Sequence, residues 1–163
     1  TKTWSEISPP TSPHMRHNHA LAYDSDRDRI LLFGGKIDEA TTAQCPDAYA
    51  EVRNERCIFT DTWEYDPTTQ NWTHIPTNHV PRVDSEGIRP PRDHQIVYHQ
   101  GTQLFALLSE QDVGADYLWV YDPKAPDWGI GQVQSIIKNK VTVNFENAGK
   151  KTVDGAVIDL ERI

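Results

Sequence analysis

Trp63-Glu-Tyr65-Asp66-Pro67, ending at Trp72, is written a second time as Trp119-Val-Tyr121-Asp122-Pro123, ending at Trp128. Each element of the second copy stands the same distance from the first, since 119 − 63, 121 − 65 and 128 − 72 all equal 56. A constant offset marks an internal repeat, not shared composition, and a repeat of this size points to a β-propeller or a solenoid.

Working outward, each copy is preceded by two strand-like runs. The first pair is His19-Ala-Leu-Ala-Tyr23 and Ile30-Leu-Leu-Phe33-Gly34-Gly35, joined by a polar turn from Asp24 to Arg29. The second pair is His94-Gln-Ile-Val-Tyr98 and Leu104-Phe-Ala-Leu-Leu108, with a turn around Gly101. Here the offset is 75 (94 − 19, 98 − 23, 108 − 33), so the first copy holds 75 − 56 = 19 extra residues between Gly35 and Thr62. Short β-branched and aromatic runs separated by Gly, Asp and Pro turns predict antiparallel hairpins. Each copy reads as four strands, in the first His19 to Asp24, Ile30 to Gly35, Thr62 to Asp66 and Trp72 to Ile75. Trp4-Ser-Glu-Ile7 repeats the spacing of Trp72-Thr-His-Ile75, as the outermost strand of a preceding unit would. The Pro-rich and polar stretch Pro76 to Pro91 reads as a linker.

Arg16-His17-x-His19-Ala, a hairpin ending in Phe33-Gly34-Gly35, then Asp61-Thr62-Trp63-x-Tyr65-Asp66 and Trp72 together resemble the kelch repeat over residues 1 to about 128. The resemblance implies four-stranded propeller blades, a Gly pair where bulk is not tolerated, and aromatic residues between neighbouring blades. The second copy departs from it, with Ser109-Glu110 where Gly34-Gly35 stands. Propellers need about 4 to 8 blades, and this chain supplies barely two. A longer propeller, a ring of several copies, or packing on another element would each resolve that.

After Trp128 the rhythm changes to Gly129-Ile-Gly131-Gln-Val133-Gln-Ser135, then Lys140-Val-Thr-Val-Asn-Phe145, a turn Glu146 to Lys151, Thr152-Val and Ala156-Val-Ile-Asp-Leu160. Val141, Val143 and Phe145 alternate with Thr142 and Asn144, the pattern of a half-buried strand. Four or five such strands suggest a small SH3-like or Tudor-like barrel. From Pro126-Asp127-Trp128-Gly129-x-Gly131 through Asn144-Phe145-Glu146, residues 116 to 163 resemble a family of small bacterial proteins of unknown function. That family is in turn similar to the Tudor-like C-terminal domain of superfamily 1 repair helicases, an adaptor that contacts RNA polymerase. The resemblance implies a protein-interaction module without catalysis.

The expected architecture is therefore all-β. Incomplete kelch-type blades fill residues 1–112, with a disulfide-type insertion at 36–60, and a small barrel fills 113–163. Residues 112–128 are claimed by both units.

Sixteen basic and 24 acidic residues give a net charge of −8, which opposes binding to a phosphate backbone. Residues 113 to 163 carry 6 basic and 7 acidic side chains, so Lys138, Lys140, Lys150 and Lys151 leave nucleic-acid contact open there alone, against the plainer reading of a solvated face. No apolar run approaches the roughly 20 residues of a membrane helix.

Cys45 and Cys57 enclose a polar stretch and suggest a disulfide formed in an oxidising compartment, with two free thiols as the alternative. The bonded form implies an extracytoplasmic protein and the free form a cytosolic or organellar one. Asn71-Trp72-Thr73 is a glycosylation sequon.

His14, His17 and His19 have ligand-like spacing but read better as structural residues at the start of a strand. Asp24, Asp26 and Asp28 lack the Gly and distal Glu of a calcium loop and read as a solvated hairpin. No nucleophile and base, acid pair or phosphate loop stands out, so no cofactor is expected. The functional expectation is a non-catalytic adaptor or subunit that binds other proteins, Trp128 and the four lysines included among its contacts, with self-association able to complete a propeller. A secreted carbohydrate-binding or oxidase-type propeller is the alternative.

Overall fold

The computed structural model describes residues 3–38, 45, 50–53, 56–77, 92–110, 117–138 and 140–154. They form two antiparallel sheets. The expected strand Ala156 to Leu160 and most of the linker Pro76 to Pro91 lie outside the described residues.

The first sheet begins as a meander: β1 (Ala20–Asp24), β2 (Arg29–Ile37), β4 (Arg56–Asp66) and β5 (Asn71–Ile75). These are the four strands expected from the first copy. The insertion adds β3 (Ala50–Arg53), which shares one edge of β4 with β5: β3 pairs with Arg56 to Phe59 and β5 with Thr62 to Asp66. The insertion also carries β2 and β4 past the Gly pair, where a register shift between Phe33 and Gly35 bends the ladder. Gly35 has φ +107°, and a Cβ there would lie 2.9 Å from the His17 carbonyl oxygen. This close approach explains the Gly pair, because the segment from Arg16 to His19 crosses directly over it. Beyond the bend, Cys45 and Cys57 form a disulfide with Cα atoms 5.5 Å apart. Together with Phe59 they build a small core of their own.

The second sheet has six strands in simple sequential order: β6 (Arg92–His99), β7 (Leu104–Glu110), β8 (Tyr117–Tyr121), β9 (Ile130–Ile137), β10 (Lys140–Phe145) and β11 (Gly149–Asp154). β8 is paired on both edges, Leu107 with Trp119 on one side and Trp119 with Gln132 on the other. The strand claimed by both sequence units thus belongs to one continuous sheet. Among the described residues β11 pairs only with β10, and no closed barrel forms. The turn expected over Glu146 to Lys151 is shorter, because Lys150 and Lys151 already pair with Asn144 and Val143.

In the first copy Tyr65 pairs with Trp72. In the second, Tyr121 pairs with Ile130 and not with Trp128, a slip of two residues. The Pro126–Trp128 segment is a 3-10 turn that takes Trp128 out of the ladder. Gly131 makes the slip possible. A Cβ there would lie 2.4 Å from Val143 Cγ1 and 2.7 Å from Phe145 Cδ1, so only glycine lets β10 lean across β9. Val120, Val141, Val143 and Phe145 close a compact core there, with Trp128 packed on it.

The two sheets meet face to face. Ala22, Leu31 and Phe33 of the first contact Phe105, Leu107, Tyr121 and Ile130 of the second, flanked by Ile75, Ile96, Tyr98 and Trp119. Burying each large apolar side chain contributes roughly 1.5–3 kcal/mol, which makes this interface the main core of the molecule.

Candidate functional site

A buried polar cluster sits where the segment before β1 meets the first sheet. The Arg16 guanidinium forms a bidentate pair with Asp61, with one nitrogen 3.0 Å from Oδ2. It also donates to the Gly34 carbonyl at 3.1 Å, and its Nε donates to the His14 carbonyl at 3.0 Å. It lies 3.8 Å above the Phe59 ring. Trp63 Nε1 donates to the same Asp61 Oδ2 at 2.5 Å. Both charged side chains are almost wholly buried, at 3% and 1% exposure. The arrangement leaves the pair no room to act as an acid or base on a solute. It locks the crossing segment down over Gly34-Gly35. At the corresponding positions the second copy has Pro91, Ser109-Glu110 and Tyr117, so the arginine, the Gly pair and the aspartate are all replaced while Trp63 keeps its counterpart in Trp119.

A second cluster joins the two sheets. Asp24 is fully buried and accepts from the Asp26 and Arg27 amides at 3.0 and 3.1 Å and from Arg27 Nε at 2.6 Å. Burial opposes its ionisation, but the Arg27 side chain and the two amides outweigh burial and hold the carboxyl below its ordinary range. Arg27 continues to Glu64 at 2.6 Å. Asp26 accepts from Gln103 at 2.9 Å, Tyr98 at 2.9 Å and Gln100 at 3.3 Å, which lowers its pKa. Of the three aspartates expected on a solvated hairpin, Asp24 is instead a buried turn cap, Asp26 is exposed but clasps the second sheet, and Asp28 is exposed and accepts from the Tyr23 hydroxyl at 2.9 Å. Burial, followed by the bond to Asp26, pushes the Tyr98 phenol well above its ordinary value. Burial, followed by the Glu64 charge, pushes Tyr121 up to about 12.

The three candidate histidines point to different partners. His14 stacks on Phe59 with centroids 6.0 Å apart, and His17 Nε2 lies 3.2 Å from Asp38. His19 is half-buried beside Gly35. Among the described residues no three His, Cys, Asp or Glu side chains are grouped to hold a metal. Also among the described residues, no helix is long and apolar enough to cross a membrane.

The C-terminal candidates divide into two places. Trp128 packs edge-on against Phe145 at 5.2 Å, and Lys151 Nζ lies 5.2 Å from the Trp128 ring. Lys151 therefore shields a half-buried indole. Lys138 and Lys140 flank the β9–β10 turn, about 17 Å away along β10 at roughly 3.3 Å per residue. Beside them stand Ile136 and Ile137, 49% and 67% exposed, which the sequence reading passed over. Two consecutive apolar residues on a strand face opposite sides, so a pair exposed together signals a strand end projecting beyond its core. That signal was present in Ile136-Ile137-Lys138-Asn139-Lys140.

A family model described as "Protein of unknown function (DUF3553)" matches residues 118–163, under a third of the chain. The match begins inside β8 and takes in the 3-10 turn, Gly129, Gly131 and the core around Phe145. No curated protein matches the sequence.

Proposed function

We propose that the chain is a non-catalytic protein-interaction module, an adaptor or accessory subunit, in which kelch-type blades carry a Tudor-like C-terminal meander. The four-strand meander of the first copy, the Gly pair under a crossing segment and the interleaved aromatic residues support the kelch reading. The family match over the C-terminal meander supports assigning that half to the small proteins it resembles. The observation that carries the functional reading is the β9–β10 hairpin end. Ile136 and Ile137 are held in the open by an ordered strand, next to Lys138 and Lys140, and suit a partner with an apolar patch rimmed by carboxylates.

A photo-reactive residue at position 137, irradiated in lysate of the source organism, tests it. The expected result is one discrete cross-linked protein that disappears when Ile136→Glu is added. A folded protein that forms no cross-link would count against the reading.

The disulfide favours a second reading, an exported carbohydrate-binding or oxidase-type propeller. Binding of an oligosaccharide that quenches tryptophan emission, unaffected by Ile136→Glu, would support that alternative.

A further inference from the structure

The sequon Asn71-Trp72-Thr73 opens β5 directly after a turn. In that turn Asp66 accepts from the Thr68 amide at 2.8 Å and Gln70 takes φ +53°, which delivers Asn71 into register opposite Asp66. Alternate residues of a strand share a face, so Asn71 and Thr73 lie together on one side of β5 and Trp72 on the other. Thr73 is exposed and Asn71 partly so. Trp72 turns away from both and packs on Tyr65 with ring centroids 5.1 Å apart. The asparagine and its threonine are thus both within reach of solvent, with the bulky middle residue folded away from them.

The Asn71 carboxamide is also oriented. A backbone amide can only donate, so the atom that Thr11 N meets at 2.9 Å is the carbonyl oxygen Oδ1. In return Trp72 N donates to the Thr11 carbonyl at 3.4 Å. With Oδ1 engaged, the amide nitrogen Nδ2 has no bond among the described residues and stays open to solvent. It carries two N–H groups, and a sugar in place of one hydrogen leaves the Thr11 bond as it is. The repeat dictates neither residue of the sequon, since Asp127 and Gly129 stand 56 positions further on.

The Cys45–Cys57 disulfide is an independent observation pointing the same way. Disulfides form in the secretory lumen and the periplasm, and an asparagine sequon is read only in a protein that enters such a compartment. We propose that Asn71 Nδ2 is the acceptor of an N-linked oligosaccharide, donated by a polyprenyl-diphosphate-linked sugar. The anomeric carbon forms a bond to Nδ2 as its bond to the diphosphate oxygen breaks. That oxygen keeps the electron pair, the displaced Nδ2 proton passes to solvent, and nothing is oxidised or reduced. Among the described residues β5 pairs only with β4, and the outer edge of such a strand is a template for a foreign one. Thr11 occupies that edge at Trp72, and the sugar shields the position beside it. The proposal rests on the exported reading that the disulfide favours and is independent of the β9–β10 hairpin.

Peptide mass mapping of the protein isolated from its source organism, alkylated without reductant, tests it. Peptides containing Asn71 should carry the added mass of an oligosaccharide. A glycan-releasing amidase, acting in water enriched in the heavy oxygen isotope, should remove that mass and leave one heavy oxygen on the Asn71 side chain. In chains produced in the same organism Thr73→Ala should abolish the added mass and Thr73→Ser should retain it. Position 73 is exposed, so both variants leave the fold intact. An unmodified Asn71 in a chain whose cysteines are bonded would overturn the proposal alone, whereas an unmodified Asn71 with both cysteines alkylated would overturn it together with the exported reading. Sugar mass that survives Thr73→Ala would also overturn it, because another side chain would then carry the glycan.

Discussion

Arg16 and Asp61 are a buried ion pair whose charges are matched by hydrogen bonds from Trp63 and to Gly34, and the energetics of such pairs are asymmetric. Removing one partner strands the other charge in a low-dielectric site and costs about 3–5 kcal/mol, whereas replacing both with apolar residues costs far less. Asp61→Ala should lower unfolding stability by that amount in urea titrations, and Arg16→Met with Asp61→Leu should recover much of it. His74 packs on Trp63 with centroids 5.1 Å apart. Burial, the largest influence, depresses its pKa. The folded state thus disfavours the imidazolium, so the stability linked to His74 is present above its unfolded pKa of about 6.5 and is lost as pH falls below it. His74→Gln should flatten the dependence of the urea midpoint between pH 7.5 and 5.5. The lowered carboxyls of Asp24 and Asp26 act further down, where stability falls as pH drops below about 4.

At the scale of elements, alternation and turn residues were enough to place β1, β5, β7 and β10 to within a residue or two. Their patterns are local: Ala20 and Ala22 against Leu21 and Tyr23, or Val141, Val143 and Phe145 against Thr142 and Asn144. Three features were not legible in this way. The continuation of β2 and β4 past Gly35 and the strand β3 depend on a core that Cys45, Cys57 and Phe59 form across the insertion. Reducing the disulfide should lower the melting temperature, by the equivalent of about 2–4 kcal/mol, while the far-ultraviolet dichroism of the folded sheets persists. The two-residue slip between β8 and β9 depends on Gly131 meeting Val143 and Phe145 from another strand, a contact no local pattern encodes. Gly131→Ala should cost about 1–3 kcal/mol through overpacking. At the equivalent position of β5, Thr73→Ala, which is exposed, should change stability by less than about 0.5 kcal/mol. The buried Arg16–Asp61 pair was visible only as separate letters of the repeat, since nothing in the spacing announces that a residue before β1 reaches one in β4.

For the molecule as a whole, the repeated Trp-x-Tyr-Asp-Pro phrase marks two strands with different neighbours. β4 lies between β2 and the end strands β3 and β5 of its sheet, whereas β8 joins the repeat on one side to the C-terminal meander on the other. That shared strand makes the two halves one structural unit and fixes the hairpin end carrying Ile136 and Ile137 relative to the first sheet. Nuclear Overhauser contacts from the Trp119 backbone test this most directly. The account predicts cross-strand contacts to Leu107 on one side and to Gln132 on the other within the same molecule. Contacts to only one of them, with the other edge of β8 free, would contradict it.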